Sequence, residues 1–204
     1  STLFYIVDDI PEPSEPGYQQ LMSQAMAELF RATEGRALVL FTSHAQLRQT
    51  SNTISTALAR DGITVFNQSD GSSRTQLLED FRQAEKAVLL GTRSYWEGVD
   101  VPGEALSLVI IDKLPFTPHR DPVVQYRQQL IRDRGGNPFD EMTLPEAILA
   151  LKQGVGRLIR TETDRGVIAI LDSRINTKRY GQKIIASLPR ARRTRRIQDV
   201  RAFF

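Results

Sequence analysis

Six short apolar runs set the strongest limit on how this chain can fold: Leu3–Val7, Ala37–Phe41, Ile63–Phe66, Ala87–Leu90, Leu106–Ile111 and Val167–Leu171. They are rich in Val, Ile and Leu with little polar alternation, the pattern of strands covered on both faces. Between them lie stretches with helical periodicity, Tyr18–Ala32, Ala45–Arg60, Arg74–Arg82, Asp121–Arg134, Leu144–Arg160 and Lys178–Leu188. This alternation predicts an α/β fold of three layers, a mostly parallel sheet with helices on both sides. The 204 residues suit one domain over 1–204. Residues 115–143, with prolines and glycines around one amphipathic stretch, read as a small insertion between the fifth and sixth strands.

Composition narrows the class. Apolar residues make up 40% and charged residues 25%, as in globular rather than disordered chains. No apolar run approaches the roughly 18–20 residues of a membrane helix, and no basic-then-apolar leader suggests secretion. Cysteine is absent, which excludes disulfides and thiolate metal sites in this chain. His44 and His119 are too far apart in sequence to suggest a metal site. The net charge of +3 is unevenly placed: residues 190–204 hold six arginines against Asp199, or +5, leaving −2 for residues 1–189. Such a basic tail suits nucleic acid or an acidic partner surface, or serves as a solvated end.

Three segments carry candidate chemistry. In Thr143–Arg160, Thr143 and Glu146 form a capping-box pattern that predicts a helix from Leu144. At helical pitch, Leu144, Ile148, Leu151, Val155 and Leu158 fall within about 80° of arc, and Gln153, Arg157 and Arg160 lie opposite, within about 60°. Gly154 and Gly156 border that polar side. Guanidinium forks and an amide on one face suit a polyanion such as a triphosphate; spacing alone favours a surface helix with solvated arginines. The second segment, Leu89–Gly103, has no regular period after its apolar start and predicts a loop at the carboxyl end of a strand, where open α/β sheets bind ligands. It offers Gly91, Gly98, Thr92, Ser94, Glu97 and Asp100, with Tyr95 and Trp96 able to stack or to pack beneath it. The third, Ala37–Arg48, brings Thr42 and Ser43 to the start of a helix, as caps or as phosphate contacts. No GxxxxGK[ST] loop and no DExH-type run occurs anywhere. A phosphate-facing helix without a phosphate cradle reads as half of a site.

Segments 37–48, 89–103 and 153–160 resemble motifs IV, V and VI of the superfamily 2 helicases of the XPD/DinG family. The resemblance is carried by WEGVD at 96–100 and QGVGRLIR at 153–160, with Asp172-Ser-Arg174 after the last predicted strand. LPFTPHRDP at 114–122 points to the bacterial DinG/YoaA branch, on its YoaA side. The resemblance spans nearly the whole chain. It implies a RecA-like second motor domain of an ATP-dependent 5′–3′ DNA helicase of repair and replication, cytoplasmic and nucleoid-associated. ATP and Mg2+ would be shared with a preceding motor domain, in which many members hold a 4Fe-4S cluster.

By the same resemblance, Arg157 and Arg160 would be arginine fingers ordered by Gln153. Gly98, Asp100, Glu97 and Gly156 would lie on the nucleotide side, and Thr42, Ser43, Thr92 and Ser94 near the DNA backbone. The implied partners are single-stranded or forked DNA, the first motor domain in cis and the chi subunit of the DNA polymerase III clamp-loader assembly. Arg192, Arg193, Thr194, Phe203 and Phe204 are the candidate residues for that docking. Two other classes stay open: a non-enzymatic docking module that recruits a replication partner, and a free-standing α/β phosphotransferase, against which the missing phosphate loop counts.

Overall fold

In a computed structural model, residues 1–70, 73–97, 106–118, 120–158 and 164–204 are described. Seven strands, β1 (Thr2–Ile6), β2 (Ala37–Phe41), β3 (Thr64–Asn67), β4 (Ala87–Thr92), β5 (Leu108–Ile111), β6 (Gly166–Ile170) and β7 (Arg192–Thr194), form one sheet in the order β3-β4-β2-β5-β6-β1-β7. Every pairing among them is parallel. The six apolar runs all become strands, shifted by no more than about two residues at either end, the usual uncertainty of a strand boundary.

Successive residues of each strand enter opposite cores, because side chains alternate across a sheet. Leu38, Leu40, Val109, Ile111, Ile168 and Ile170 face one layer of helices: α3 (Arg74–Gln83), α6 (Leu144–Val155) and α8 (Tyr180–Ser187). Val39, Phe41, Leu108, Ile110, Val167 and Ala169 face the other: α1 (Tyr18–Thr33), α2 (His44–Arg60) and α9 (Ile197–Arg201). Helices on both faces require apolar residues at every strand position, which is why these runs lack polar alternation.

The insertion contains α5 (Pro122–Asp133), started by Asp121, whose carboxylate accepts from the Val123 and Val124 amides. Its inner residues Val124 and Ile131 meet Met142 in a small third cluster. A five-residue π-helical turn (Phe139–Thr143) then runs directly into α6. The predicted capping box therefore does not form: Thr143 is itself helical and its side chain caps nothing. The cap sits upstream at Asn137, whose Oδ1 accepts from the Phe139 amide at 2.9 Å, with Pro138 following.

The far end of α6 also departs from expectation. The helix predicted through Arg160 stops at Val155, and residues 156–158 form a tighter turn with i→i+3 bonds from Arg157 to Gly154 and Leu158 to Val155. Gly154 and Gly156 weaken the helical hold here, and Leu158 is drawn down onto β6, where a Cβ on Gly166 would meet its Cδ2 at 2.6 Å. Gly154 is buried rather than bordering the polar side. The loop expected over 89–103 is likewise shorter at its start: residues to Thr92 belong to β4, and α4 (Arg93–Trp96) follows as one helical turn.

Residues 190–204 fold onto the domain. β7 pairs with β1 over three residues, and Val200 of α9 is fully buried. The Thr194 hydroxyl donates to the Asp199 carboxylate, and the Arg196 amide donates to Thr194 Oγ1 at 3.0 Å. No apolar run announced this strand, since a short sheet edge rich in Arg is one way that edges are kept from pairing further.

At the carboxyl edge of the sheet, Asp112 and Asp172 are completely buried. Asp172 holds Arg174 through both carboxylate oxygens and accepts from the Leu114 amide at 2.8 Å. Tyr18 donates to the Asp112 carbonyl at 2.6 Å, tying α1 to the same edge. Burial pushes the Asp112 carboxyl from 3.8 up to about 7, opposed by the Lys113 charge and by the Lys113 and Thr42 amides, and reinforced by Asp172. A carboxyl raised in the fold favours the native state most below its unfolded pKa, and that contribution is lost as pH rises through the folded one. Asp112→Asn should therefore be compared with the parent chain by thermal melts from pH 4 to 8. The wild type is expected to lose stability relative to the variant across the window from about 4 to about 7, on the order of 2–4 kcal/mol. Parallel melting profiles would show that Asp112 does not titrate in this range.

Candidate functional site

The carboxyl ends of β2, β4, β5 and β6 open on one edge, because all are parallel and in close register: Phe41 pairs with Thr92, Leu40 with Ile111 and Ile111 with Ile170. Three parts of the candidate chemistry meet there or beside it.

The first part joins two of the three motif-bearing segments, 89–103 and 153–160. Arg157, in the turn after α6, donates from Nη2 to the carbonyl of Glu97 at 2.9 Å. Glu97 closes α4, and its carboxylate lies 3.3 Å from Arg93 Nε. Arg93, Glu97, Leu149, Gln153 and Arg157 line an open cleft of about 400 Å3. Gln153 and Gly156 are exposed and Arg157 is half-buried. Two guanidinium groups and an amide thus face one solvent-open space, held at one end by α6 and at the other by α4.

The second part is at the ends of β2, β3 and β4. Ser43 caps α2 by accepting from the Gln46 amide at 3.4 Å, while Thr42 stands exposed. Thr92 is buried, and both its amide and its hydroxyl donate to Gln68 Oε1, at 2.6 and 3.1 Å. With its oxygen so committed, the Gln68 amide group donates to His44 Nδ1 at 3.2 Å. Gln68 therefore clamps Thr92 to the start of α2. Nothing in the sequence marked it: it is one polar residue after a short strand, and only the β3–β4 register, with Asn67 beside Leu90, brings it within reach of Thr92. Tyr95 packs under this region with its ring in the core and the Arg74 guanidinium 4.7 Å from its centroid.

The third part is the buried Asp112, Tyr18, Asp172 and Arg174 group. Burial works against the Arg174 charge, and the Asp172 carboxylate outweighs it, so the arginine stays firmly protonated. Its guanidinium stacks 5.4 Å from the Phe116 centroid, and Phe116, Phe139 and Tyr180 form a ring cluster with centroids 5.2–5.7 Å apart. This group fixes the first residues of the insertion against the sheet.

Of the other candidates, Gly98, Asp100 and Arg160 lie outside the described residues, as does the side chain of Ser94, whose backbone is in α4. Arg192 and Arg193 are exposed on β7, Thr194 is buried, and Phe203 sits beneath the Arg165 guanidinium at 4.9 Å with Phe204 beside it. A larger cleft, about 560 Å3, opens between α8 and β7. Apart from Gln182, Arg190 and Arg193 its lining is apolar, with no acid and no residue of the motif segments, so the smaller cleft at Arg157 is the better candidate on chemistry. The donors at that cleft fit part of a polyphosphate. Among the described residues no cluster of His, Asp or Glu fits a metal ion, and a chain without cysteine offers no thiolate for an iron–sulfur cluster. No helix among the described residues is long and apolar enough to cross a membrane.

Residues 26–191 match the model of a family described as "Helicase C-terminal domain". The ATP-dependent DNA helicase YoaA of Escherichia coli K12 is 44% identical over 195 residues, covering 96% of this chain. The ATP-dependent helicase DinG of Mycobacterium tuberculosis H37Rv is 42% identical over 205 residues, covering 99%. The chain spans 30% of the length of each of these relatives. An XPD helicase structure superimposes with a TM-score of 0.74 over 95% of this chain and 35% of its own, at 19% identity, which speaks for the RecA-like fold alone. With the family model matched over most of the chain and all three motif segments inside the match, the chain belongs to the helicase C-terminal domain family.

Proposed function

We propose that this chain is the second motor domain of an ATP-dependent DNA helicase that moves 5′ to 3′ on single-stranded DNA and serves repair and replication. The observation that carries the reading is the contact of Arg157 with Glu97, which joins two of the motif segments around one cationic cleft. The sequence has no phosphate loop to complete that cleft, so the remainder of the site would come from a preceding motor domain in cis.

ATP and Mg2+ bound on that domain would supply the transferable phosphoryl group and a counter-charge for it. Arg157 and Arg160 would direct guanidinium forks at the γ-phosphate oxygens and stabilise the charge that builds there. Gln153 would hold that arrangement in order. Glu97, Gly98, Asp100 and Gly156 would form the nucleotide side of the segment, and Thr42, Ser43, Thr92 and Ser94 its DNA side. The short path from Glu97 through α4 to Thr92, and from Thr92 through Gln68 to His44, supports a coupling between the two. Single-strand grip would add backbone contacts to base stacking.

The same reading places a 4Fe-4S cluster in the preceding domain of the parent and the protein in the bacterial cytoplasm near the nucleoid. Resemblance to the YoaA side of the family further supports docking of the chi subunit on the 190–204 segment. The exposed Arg192 and Arg193 of the edge strand and the exposed Phe204 are the groups available for it, with Thr194 and Phe203 supporting them from within.

The 204-residue chain alone is expected to hydrolyse no ATP with or without single-stranded DNA; robust DNA-stimulated turnover that survives further purification would overturn the half-site reading. In the longer parent, Arg157→Ala and Arg160→Ala should each lower ATP turnover by about 10³–10⁵-fold, the range of arginine fingers elsewhere. Their melting temperatures should stay at the wild-type value. Near-normal turnover in either variant would remove that residue from the role.

A further inference from the structure

Among the described residues six large apolar side chains stand exposed; Val123, Tyr126 and Leu130 share α5, and Leu149 stands on α6. The first three are 65%, 65% and 48% exposed and recur at spacings of three and four on α5, within about 100° of arc together with Arg127. The opposite demand of α5 is already met, since Val124 and Ile131 are buried against Met142. The outer stripe is thus a second apolar face with no core of its own to enter.

The helix that bears this stripe is tied to the helix that walls the candidate cleft. Arg127 Nη2 reaches Glu146 Oε1 at 2.8 Å, which pins the middle of α5 beside the first turn of α6. On α6, Glu146, Leu149 and Gln153 follow at spacings of three and four, and Leu149, 57% exposed, is itself part of the cleft wall with Gln153 and Arg157. A body that closes over the cleft meets Leu149 in its wall, and the Arg127–Glu146 pair ties the same helix to α5. Exposed apolar surface of this extent, bounded by polar pairs, is the anatomy of an interface.

We propose that the insertion helix α5 is a docking surface for the preceding motor domain, and that closure over nucleotide covers Val123, Tyr126 and Leu130 together with Leu149. The inference rests on the reading of the cleft as half of an ATP site. The chosen occupant follows from two observations: the Arg127–Glu146 pair joins the helix that bears the stripe to the helix that walls that cleft, and this chain spans only 30% of relatives such as YoaA, so most of their polypeptide lies outside it. The insertion then has a mechanical part in the motor, as the second arm of a surface that the nucleotide closes.

The test uses the longer parent protein. Hydrogen exchange of peptides covering 122–133 and 144–153 should slow when a non-hydrolysable ATP analogue binds. The double variant Tyr126→Ser/Leu130→Ser, altered outside the cleft, should abolish the slowing over 122–133. It should also lower kcat for ATP by about tenfold or more with KM for ATP within about twofold, since apolar anchors at an interface centre carry energies of that order. Tyr126→Phe should retain turnover. Wild-type kcat in the double variant, or exchange over 122–133 that is indifferent to nucleotide in the wild-type parent, would overturn the proposal. So would protection by single-stranded DNA alone, or a parent dimer that the double variant converts to active monomer. Arg157→Ala, assayed alongside, separates the two levels: inactivity there with a normal double variant removes α5 and leaves the cleft, whereas activity there removes the cleft reading itself.

Discussion

Parallel pairing of β2 with both β4 and β5, and of β5 with β6, brings Phe41, Thr92, Ile111 and Ile170 to the same edge of the sheet. The Thr42–Ser43 cap, α4 with Glu97, the insertion after Asp112, and Asp172 with Arg174 all leave the sheet from those four positions. An antiparallel neighbour would send one of these segments to the opposite edge. Parallel strands need long crossovers, and the helices that make them here cover both faces, which accounts for the paired cores and the unbroken apolar runs.

That edge carries buried charge, which is costly unless each group is held. Asp172 is held by Arg174 and the Leu114 amide, and Tyr18 is held by the Asp112 and Leu171 carbonyls. Asp112 is the least compensated of the set; its Oδ2 finds no partner among the described residues, consistent with a carboxyl pushed up to about 7. Removing one member of a buried pair strands the other, so such groups fix geometry more than they add net stability. Here they anchor the start of the insertion to β5 and β6, and through the Phe116, Phe139 and Tyr180 rings to the turn that leads into α6. The cleft at Arg157 and the insertion helix are thereby mounted on one stiff frame.

Residues 190–204 show a related economy. Six arginines in a short tail suggest a free cationic end, but the chain uses Thr194, Val200 and Phe203 to attach that end to β1, α1 and Arg165. The arginines are left on the outside of an edge strand, where like charge discourages further strand addition and where an acidic partner would meet them.

The first six strands were legible because apolar runs of four to six residues bounded by polar segments are local signals, and so were α1, α2, α3 and α5. The family was legible from WEGVD and QGVGRLIR, since glycine, carboxylate and arginine at those spacings serve one chemistry. Three features were not local. β7 is a strand only because Leu3, Phe4 and Tyr5 lie beside Arg192, Arg193 and Thr194; its own residues carry no strand period. The end of α6 depends on Leu158 meeting Gly166, and its start on Asn137 and a π-helical turn that overrides the Thr143–Glu146 pattern. The hydrogen bonds of Gln68 to Thr92 and of Arg157 to Glu97 join residues 24 and 60 positions apart. Sequence by itself determined the layered parallel fold and the chemical character of the motifs, because periodicity and residue type act within a few residues. Which motifs touch, where helices stop and which apolar faces stay open were decided by the tertiary structure, because those depend on strand register and on packing partners far along the chain.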